Sequence, residues 1–225
     1  MTFLQQIKLC CPVCDTRFDS LAAKVTPRHG GCRSDFREEG SGKHALAYLV
    51  HVCVNCGYAG SSEQFDEAVE VAPELRARVY AELSPRMPAP RTAGAPVLPL
   101  PGSEKYEAAA TIAEWQLADG RHIADLWLRA AWCCEDENDV EAERYYRRKA
   151  VWSFQDALQN YDGIPADERA TITYLVGELW RRIGDDRQAS QWFARVPDEI
   201  VDFTAQEYIL DVARRQAEQP EEWLP

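Results

Sequence analysis

The chain has 225 residues, 46% hydrophobic and 28% charged, with a formal charge of −12. That is the composition of an ordinary globular protein rather than a disordered one, with room for one large domain or two small ones. The longest apolar run, Ala45 to Val50, is far too short to span a bilayer. The first residues, Met1-Thr2-Phe3-Leu4-Gln5, have neither the basic start nor the apolar core of a secretory signal, so a cytoplasmic location is expected. The chain has eight cysteines, four of them in two C-x-x-C pairs, and in a reducing compartment such pairs point to metal before disulfides. The acid is concentrated late: residues 1–62 carry 7 Lys+Arg against 5 Asp+Glu, residues 103–225 carry 14 against 26. An acidic half of this kind repels phosphate backbones, so any nucleic-acid contact would fall on residues 1–62.

In chain order, Phe3 to Leu9 alternates as a strand into Cys11-Pro12-Val13-Cys14, and Phe18 to Val25 can return as its partner. His29 through Lys43 is glycine-rich and charged, and reads as a long loop. Ala45 to Val52 reads as a strand with Tyr48, Val50 and Val52 on one face, running into Cys53-Val54-Asn55-Cys56-Gly57. Two such knuckles a few dozen residues apart are the signature of a four-thiolate zinc site, and Gly57 supplies the positive φ that the turn needs. Four sulfurs fill a tetrahedral shell, so the expected cofactor is one structural Zn2+ held by Cys11, Cys14, Cys53 and Cys56. Cys10 is an off-spacing neighbour, His51 a packed side chain, and Cys32 with His29 a weaker second pairing.

Ser62 is read as the N-cap of a helix carrying Phe65, Ala68, Val69 and Ala72 on one face, with Pro73 kinking it or opening a second helix to about Leu83. Residues 84–102 hold six prolines and form a linker or strap. Ser103 then caps the first of six helices, the others being Ile123–Cys134, Val140–Gln159, Ala166–Ile183, Arg187–Arg195 and Ile200–Ala217. Short polar turns between them predict stacked helical hairpins. Gly177, Trp180, the turn Gly184-Asp185, Ala189 and Phe193 have the small–large spacing of a tetratricopeptide repeat, in which Gly177 and Ala189 let two helices approach. A second copy fits upstream with Trp132, Ala142, Tyr146 and Ala150.

The expected fold class is therefore α+β, mostly α. It comprises a zinc-ribbon-like module (1–62), connecting helices (63–83), the proline-rich linker (84–102) and a tetratricopeptide-like α-helical hairpin array (103–220). Cys11-Pro12-Val13-Cys14 with Phe18, Ser34-Asp35-Phe36, Cys53 to Ala59, Lys105-Tyr106-Glu107, Leu128 to Trp132 and Gly177 to Arg182 occur in that order. This combination resembles a bacterial family of unknown function, numbered 2225, over nearly the whole length. The resemblance implies a zinc-ribbon start and a tetratricopeptide-like end, with no assigned activity.

None of the usual phosphate-binding, metalloprotease, hydrolase or dinucleotide motifs is present, and no nucleophile meets a base, so the chain is read as no enzyme. The expected function is a zinc-stabilised adaptor that binds a protein or peptide through its helical repeats. In the later repeat the partner-binding face is assigned to Tyr174, Glu178, Arg181 and Arg182, with Thr171 beside them, because Tyr and Arg anchor interfaces and paired arginines hold carboxylates. The alternatives are a nucleic-acid-associated or regulatory protein acting through the ribbon, and a thiol enzyme using Cys32, His29 or the knuckles.

Overall fold

The computed structural model describes residues 3–24, 30–39, 45–66, 68–87, 100–160 and 163–224. The strands are β1 Phe3–Cys10, β2 Arg17–Lys24, β3 His51–Val52 and β4 Ala59–Gly60. The helices are α1 Pro73–Arg78, α2 Gly102–Trp115, α3 Gly120–Glu137, α4 Val140–Gln159, α5 Ala166–Ile183, α6 Asp186–Phe193 and α7 Phe203–Glu218. The protein is α+β and mostly α, with β1–β4 all in the first third of the chain. No helix among the described residues is long and apolar enough to cross a membrane.

These elements group into two compact units that are not consecutive in the chain. One comprises Met1–Thr26, Gly42–Ala118 and Arg129–Glu143, the other Pro27–Ser41, Asp119–Leu128 and Arg144–Pro225. The boundaries expected from the sequence run in simple chain order. The segment 30–39, placed with the N-terminal module on sequence alone, instead belongs with α5–α7.

In the first unit β1 and β2 pair antiparallel from Phe3↔Lys24 to Cys10↔Arg17, as the alternation predicts. Phe18 of β2 meets Phe65 edge-on with ring centres 5.5 Å apart, and Tyr58 meets Phe65 at 5.4 Å. The expected strand Ala45–Val52 is corrected by the structure. Leu46–Tyr48 is a single 3-10 turn, and only His51–Val52 is extended, paired with Ala59–Gly60. The carbonyls of Leu46 and Ala47 accept from Tyr106 Oη at 3.1 Å and Lys105 Nζ at 2.9 Å of α2. Docking on α2 overrides the local β pattern there.

The helix expected from Ser62 is likewise shorter: Ser62–Phe65 is one 3-10 turn, and its cap is Ser61, whose N–H donates to Gln64 Oε1 at 2.9 Å. Pro73 opens α1, which continues through a π-helical turn at Val79–Leu83 and a 3-10 turn at Ser84–Arg86. Most of the proline-rich stretch lies outside the described residues. Ser103 does not cap α2 but sits inside it, its N–H donating to Glu137 Oε1 at 3.1 Å and its hydroxyl bonding the same carboxylate.

In the second unit α5 and α6 form the hairpin read from the sequence. Gly184 ends α5 at φ 92°, and the Asp185 carboxylate caps α6 by accepting from the Gln188 N–H at 3.0 Å. A Cβ on Gly177 would stand 2.7 Å from Phe193 Cδ1, so only glycine permits this helix approach. Tyr174, Ala189, Phe193, Val196, Ile209, Val212 and Ala213 make the core here, with Phe36, Trp180, Ile200 and Leu224 packed around it. Trp127 of α3 stacks on Tyr146 of α4 at 5.7 Å.

Candidate metal centre and a buried polar cluster

Each knuckle is a tight loop closed by its own backbone. The N–H of Cys11 donates to Thr16 O at 3.0 Å and that of Asp15 to Cys11 O at 2.9 Å. The second loop repeats the pattern, from Cys53 N to Tyr58 O at 2.8 Å and from Gly57 N to Cys53 O at 2.9 Å. The residue after the second cysteine is left-handed in both, Asp15 at φ 56° and Gly57 at φ 78°. Gly57 is legible in the sequence, whereas Asp15 takes the same place as one of the few non-glycine types that tolerate it.

These loops aim four sulfurs at one point. Sγ of Cys11, Cys14, Cys53 and Cys56 all lie within 4.8 Å of one another, Cys11 to Cys56 at 3.6 Å and Cys14 to Cys53 at 3.5 Å. A tetrahedron of Zn–S bonds of about 2.3 Å has sulfur–sulfur edges of about 3.8 Å, so the donor set fits such an ion. The Cys53 thiol falls to about 2, first through its contact with Cys11 and then with Cys56, whereas Cys11, against Cys53, rises to about 12 and Cys56 is pushed up by both. The crowd tolerates one thiolate readily and resists the next, which is the electrostatic demand that a divalent metal satisfies.

Around the sulfurs, Arg76 of α1 donates to Val13 O at 2.7 Å and Pro12 O at 3.2 Å, and Ser84 Oγ reaches Asn55 O at 3.4 Å. The segment 73–86 therefore holds both knuckles from outside the C-x-x-C pairs. Nothing in the sequence marks Arg76 for this beyond its place on an amphipathic turn. Cys10 is not part of the sulfur group, its thiol facing Asp15 O at 3.9 Å. His51 is buried with Nδ1 2.9 Å from Ser20 Oγ, and burial holds its imidazole below the usual range. Cys32 lies in the other unit, its thiol facing Arg33 O at 3.6 Å and raised by burial, then by Asp35; His29 is outside the described residues.

The structure brings Tyr174, Glu178, Arg181 and Arg182 together, but corrects the open face drawn for them. Tyr174 and Glu178 have no exposed surface. The Glu178 carboxylate takes a fork from Arg181 (Nε to Oε2 at 2.8 Å, Nη2 to Oε1 at 2.6 Å) and accepts from Arg182 Nε at 2.7 Å and Ser34 Oγ at 2.7 Å. Tyr174 Oη donates to Ser34 O at 2.8 Å, and burial, with Glu178 next to it, pushes its phenol up. Asp35, also fully buried, pairs with the equally buried Arg147 of α4 at 3.1 Å. Arg182 Nη2 donates to Ser34 Oγ at 2.8 Å. The reason is the Ser34-Asp35-Phe36 turn: it folds onto α4 and α5 and closes what would otherwise be an exposed helix face. Phe36, at φ 62°, lays its ring 5.4 Å from Tyr174.

The chain matches, over residues 4–219, the profile of the family DUF2225, described as uncharacterized protein conserved in bacteria. It belongs to that family. Searches among curated proteins and solved structures give no match. The family description carries no activity, so function rests on the two sites above.

Proposed function

We propose that this family member is a non-enzymatic, zinc-stabilised adaptor that binds a protein or peptide through its helical hairpins. The observation that carries the metal part is the convergence of four sulfurs on one point. Four thiolates complete a tetrahedral shell and leave no position for water or substrate, so the ion acts as a clip for the first unit rather than as a Lewis acid. Cys11, Cys14, Cys53 and Cys56 are its ligands, and Zn2+ is the ion that a sulfur tetrahedron prefers.

The partner part is supported by charge and exposure in the second unit. Arg181 keeps part of its guanidinium at the surface while Glu178 fixes it from beneath, and Tyr174 anchors the turn that covers Glu178. Tyr145 and Trp152, seven residues apart on α4, are both more than half exposed, aromatic side chains of the kind that anchor interfaces. The cytoplasm is the compartment in which free thiolates and zinc coexist in this way.

Metal analysis of the purified chain should give one zinc per chain, lost in Cys56→Ser. Affinity capture from the native host, quantified for wild type against Arg181→Ala, tests the adaptor role. Proteins enriched with wild type and lost with the variant support it. A bound set indifferent to the substitution removes the Arg181 face from the reading.

A further inference from the structure

The stretch after α7 folds back on the Ser34 turn. Glu221 is gripped by the buried Gln216, whose Nε2 donates to Glu221 O at 2.7 Å and whose Oε1 accepts from Glu221 N–H at 3.0 Å. The next residues run antiparallel to residues 32–34. The Ser34 N–H donates to Glu222 O at 2.9 Å, the Leu224 N–H to Cys32 O at 2.9 Å, and Arg33 forms a bridge with Trp223. Residues 32–34 pair on their other side with 37–38 through the bridge Cys32↔Glu38 and the bond from Arg33 N to Arg37 O at 2.9 Å. Residues 222–224 thus add one strand to a preformed edge.

Side chains give this added strand its chemistry. The Glu222 carboxylate sits between Arg33 Nη2 at 3.0 Å and Arg182 Nη2 at 3.2 Å. Leu224 packs on the core of α5–α7, and the Trp223 ring lies over Gly31. Asp35 and Glu178, which also reach these arginines, are wholly buried, whereas Glu222 is half-exposed, as is Trp223. An edge that offers a backbone donor and acceptor, a pair of arginines and an apolar seat two residues further on is how extended peptides are bound by strand addition.

We propose that residues 221–224 occupy, in cis, a site for an extended acidic peptide, and that a partner segment with a carboxylate followed two residues later by a large aliphatic side chain displaces them. The inference rests on the peptide-adaptor reading and gives it a place and a ligand class. The segment then acts as an internal competitor. Its ties are two backbone hydrogen bonds to residues 32–34, the Gln216 amide on Glu221, one solvent-reached carboxylate, the half-exposed Trp223 ring and one apolar side chain, each of a kind that an outside strand can replace.

The test uses the full chain with Glu221→Gly, Glu222→Ser, Trp223→Gly and Leu224→Ser, and a fluorescein-labelled synthetic peptide, Gln-Pro-Glu-Glu-Trp-Leu-Pro, followed by fluorescence anisotropy. The substituted chain should bind the peptide saturably and at least about tenfold more tightly than wild type, because wild type offers the site only in the fraction with its own segment released. Replacing the second Glu of the peptide by Gln, or adding Arg33→Ala to the chain, should each reverse most of that gain. Should the fourfold variant not fold, Glu222→Gln alone keeps Leu224 seated and should still bind the peptide more tightly than wild type. Equal binding to wild type and variant, no binding to a variant whose circular dichroism matches wild type, or indifference to the Glu-to-Gln change overturns the proposal. Host proteins captured through Arg181 while the peptide stays inert would leave the adaptor reading standing and remove this site alone.

Discussion

Gly177→Ala places one methyl group where α5 and α6 touch, and the geometry fixes what it meets. The new Cβ would stand 2.7 Å from Phe193 Cδ1 and 2.8 Å from Cε1, well inside the separation of about 3.5–4.0 Å at which carbon atoms attract. Phe193 is 5% exposed and lies 5.7 Å from the Tyr174 ring, so it has no free direction in which to turn. Overpacking of this kind costs about 1–3 kcal/mol. Against it stands the better helix propensity of alanine, worth about 1 kcal/mol. The balance is a loss of about 1 kcal/mol, which for a chain of this size lowers the melting midpoint by roughly 2–4 °C. Urea unfolding of Gly177→Ala, Phe193→Leu and the double variant, followed by circular dichroism and tryptophan fluorescence, measures it. In the double variant the methyl enters space that the ring has left, so the two costs should fall short of additivity by about 1 kcal/mol. A single variant more stable than wild type by about 1 kcal/mol, the value of propensity alone, would refute the close approach of the two helices.

Four other outcomes follow from the sites. Cys14→Ser should carry less than one zinc, and its β1–β4 amides should exchange faster while those of α5 and α6 keep their protection; uniform loss in both units would contradict the local clip. Zinc uptake should release protons, because the Cys11 and Cys56 thiols are held up and must ionise, so affinity falls as pH falls. Calorimetry in buffers of different ionisation enthalpy reads that release. Arg76→Ala, which frees the Pro12 and Val13 carbonyls, should weaken zinc by about tenfold to a hundredfold in a chelator competition. Arg147→Met removes the 3.1 Å partner of buried Asp35 but leaves Arg33 and Arg182 each 3.7 Å from it, so it should destabilise by less than the about 3–5 kcal/mol of a fully uncompensated buried charge, and Asp35→Leu added to it should restore part of the loss in urea unfolding.

Local rules carried the sequence reading as far as the information was local. The gathering of Cys11, Cys14, Cys53 and Cys56 followed from two C-x-x-C spacings, and α4 and α5 were found to the residue because their apolar period and flanking turns agree. Leu46–Tyr48 escaped because its shape answers to Tyr106 and Lys105, some sixty residues away. Ser34 and Asp35 escaped for the same reason: a small polar pair among charges looks like surface until its partners on α4 and α5 are known. A trace of the cluster was nevertheless legible. Arg147 lies on the stripe of Ala150, Val151 and Phe154, all buried, and a cation among apolar positions at helical spacing asks for a buried carboxylate. Glu178, between Leu175 and Leu179 on α5, makes the matching request.

The Ser34–Glu178 contact also sets a clock for synthesis. Its two ends are 144 residues apart, so on a ribosome adding about 5–20 residues per second Glu178 is made roughly 7–29 s after Ser34. During that interval the turn carrying Ser34, Asp35 and Phe36 has emerged without the helices that give its polar groups their bonds. The four cysteines of the candidate metal centre are complete by residue 56. On the zinc reading proposed above, an ion held by the four cysteines would tie Cys14 to Cys53 while the helices that Ser34 and Asp35 bond to are still unmade.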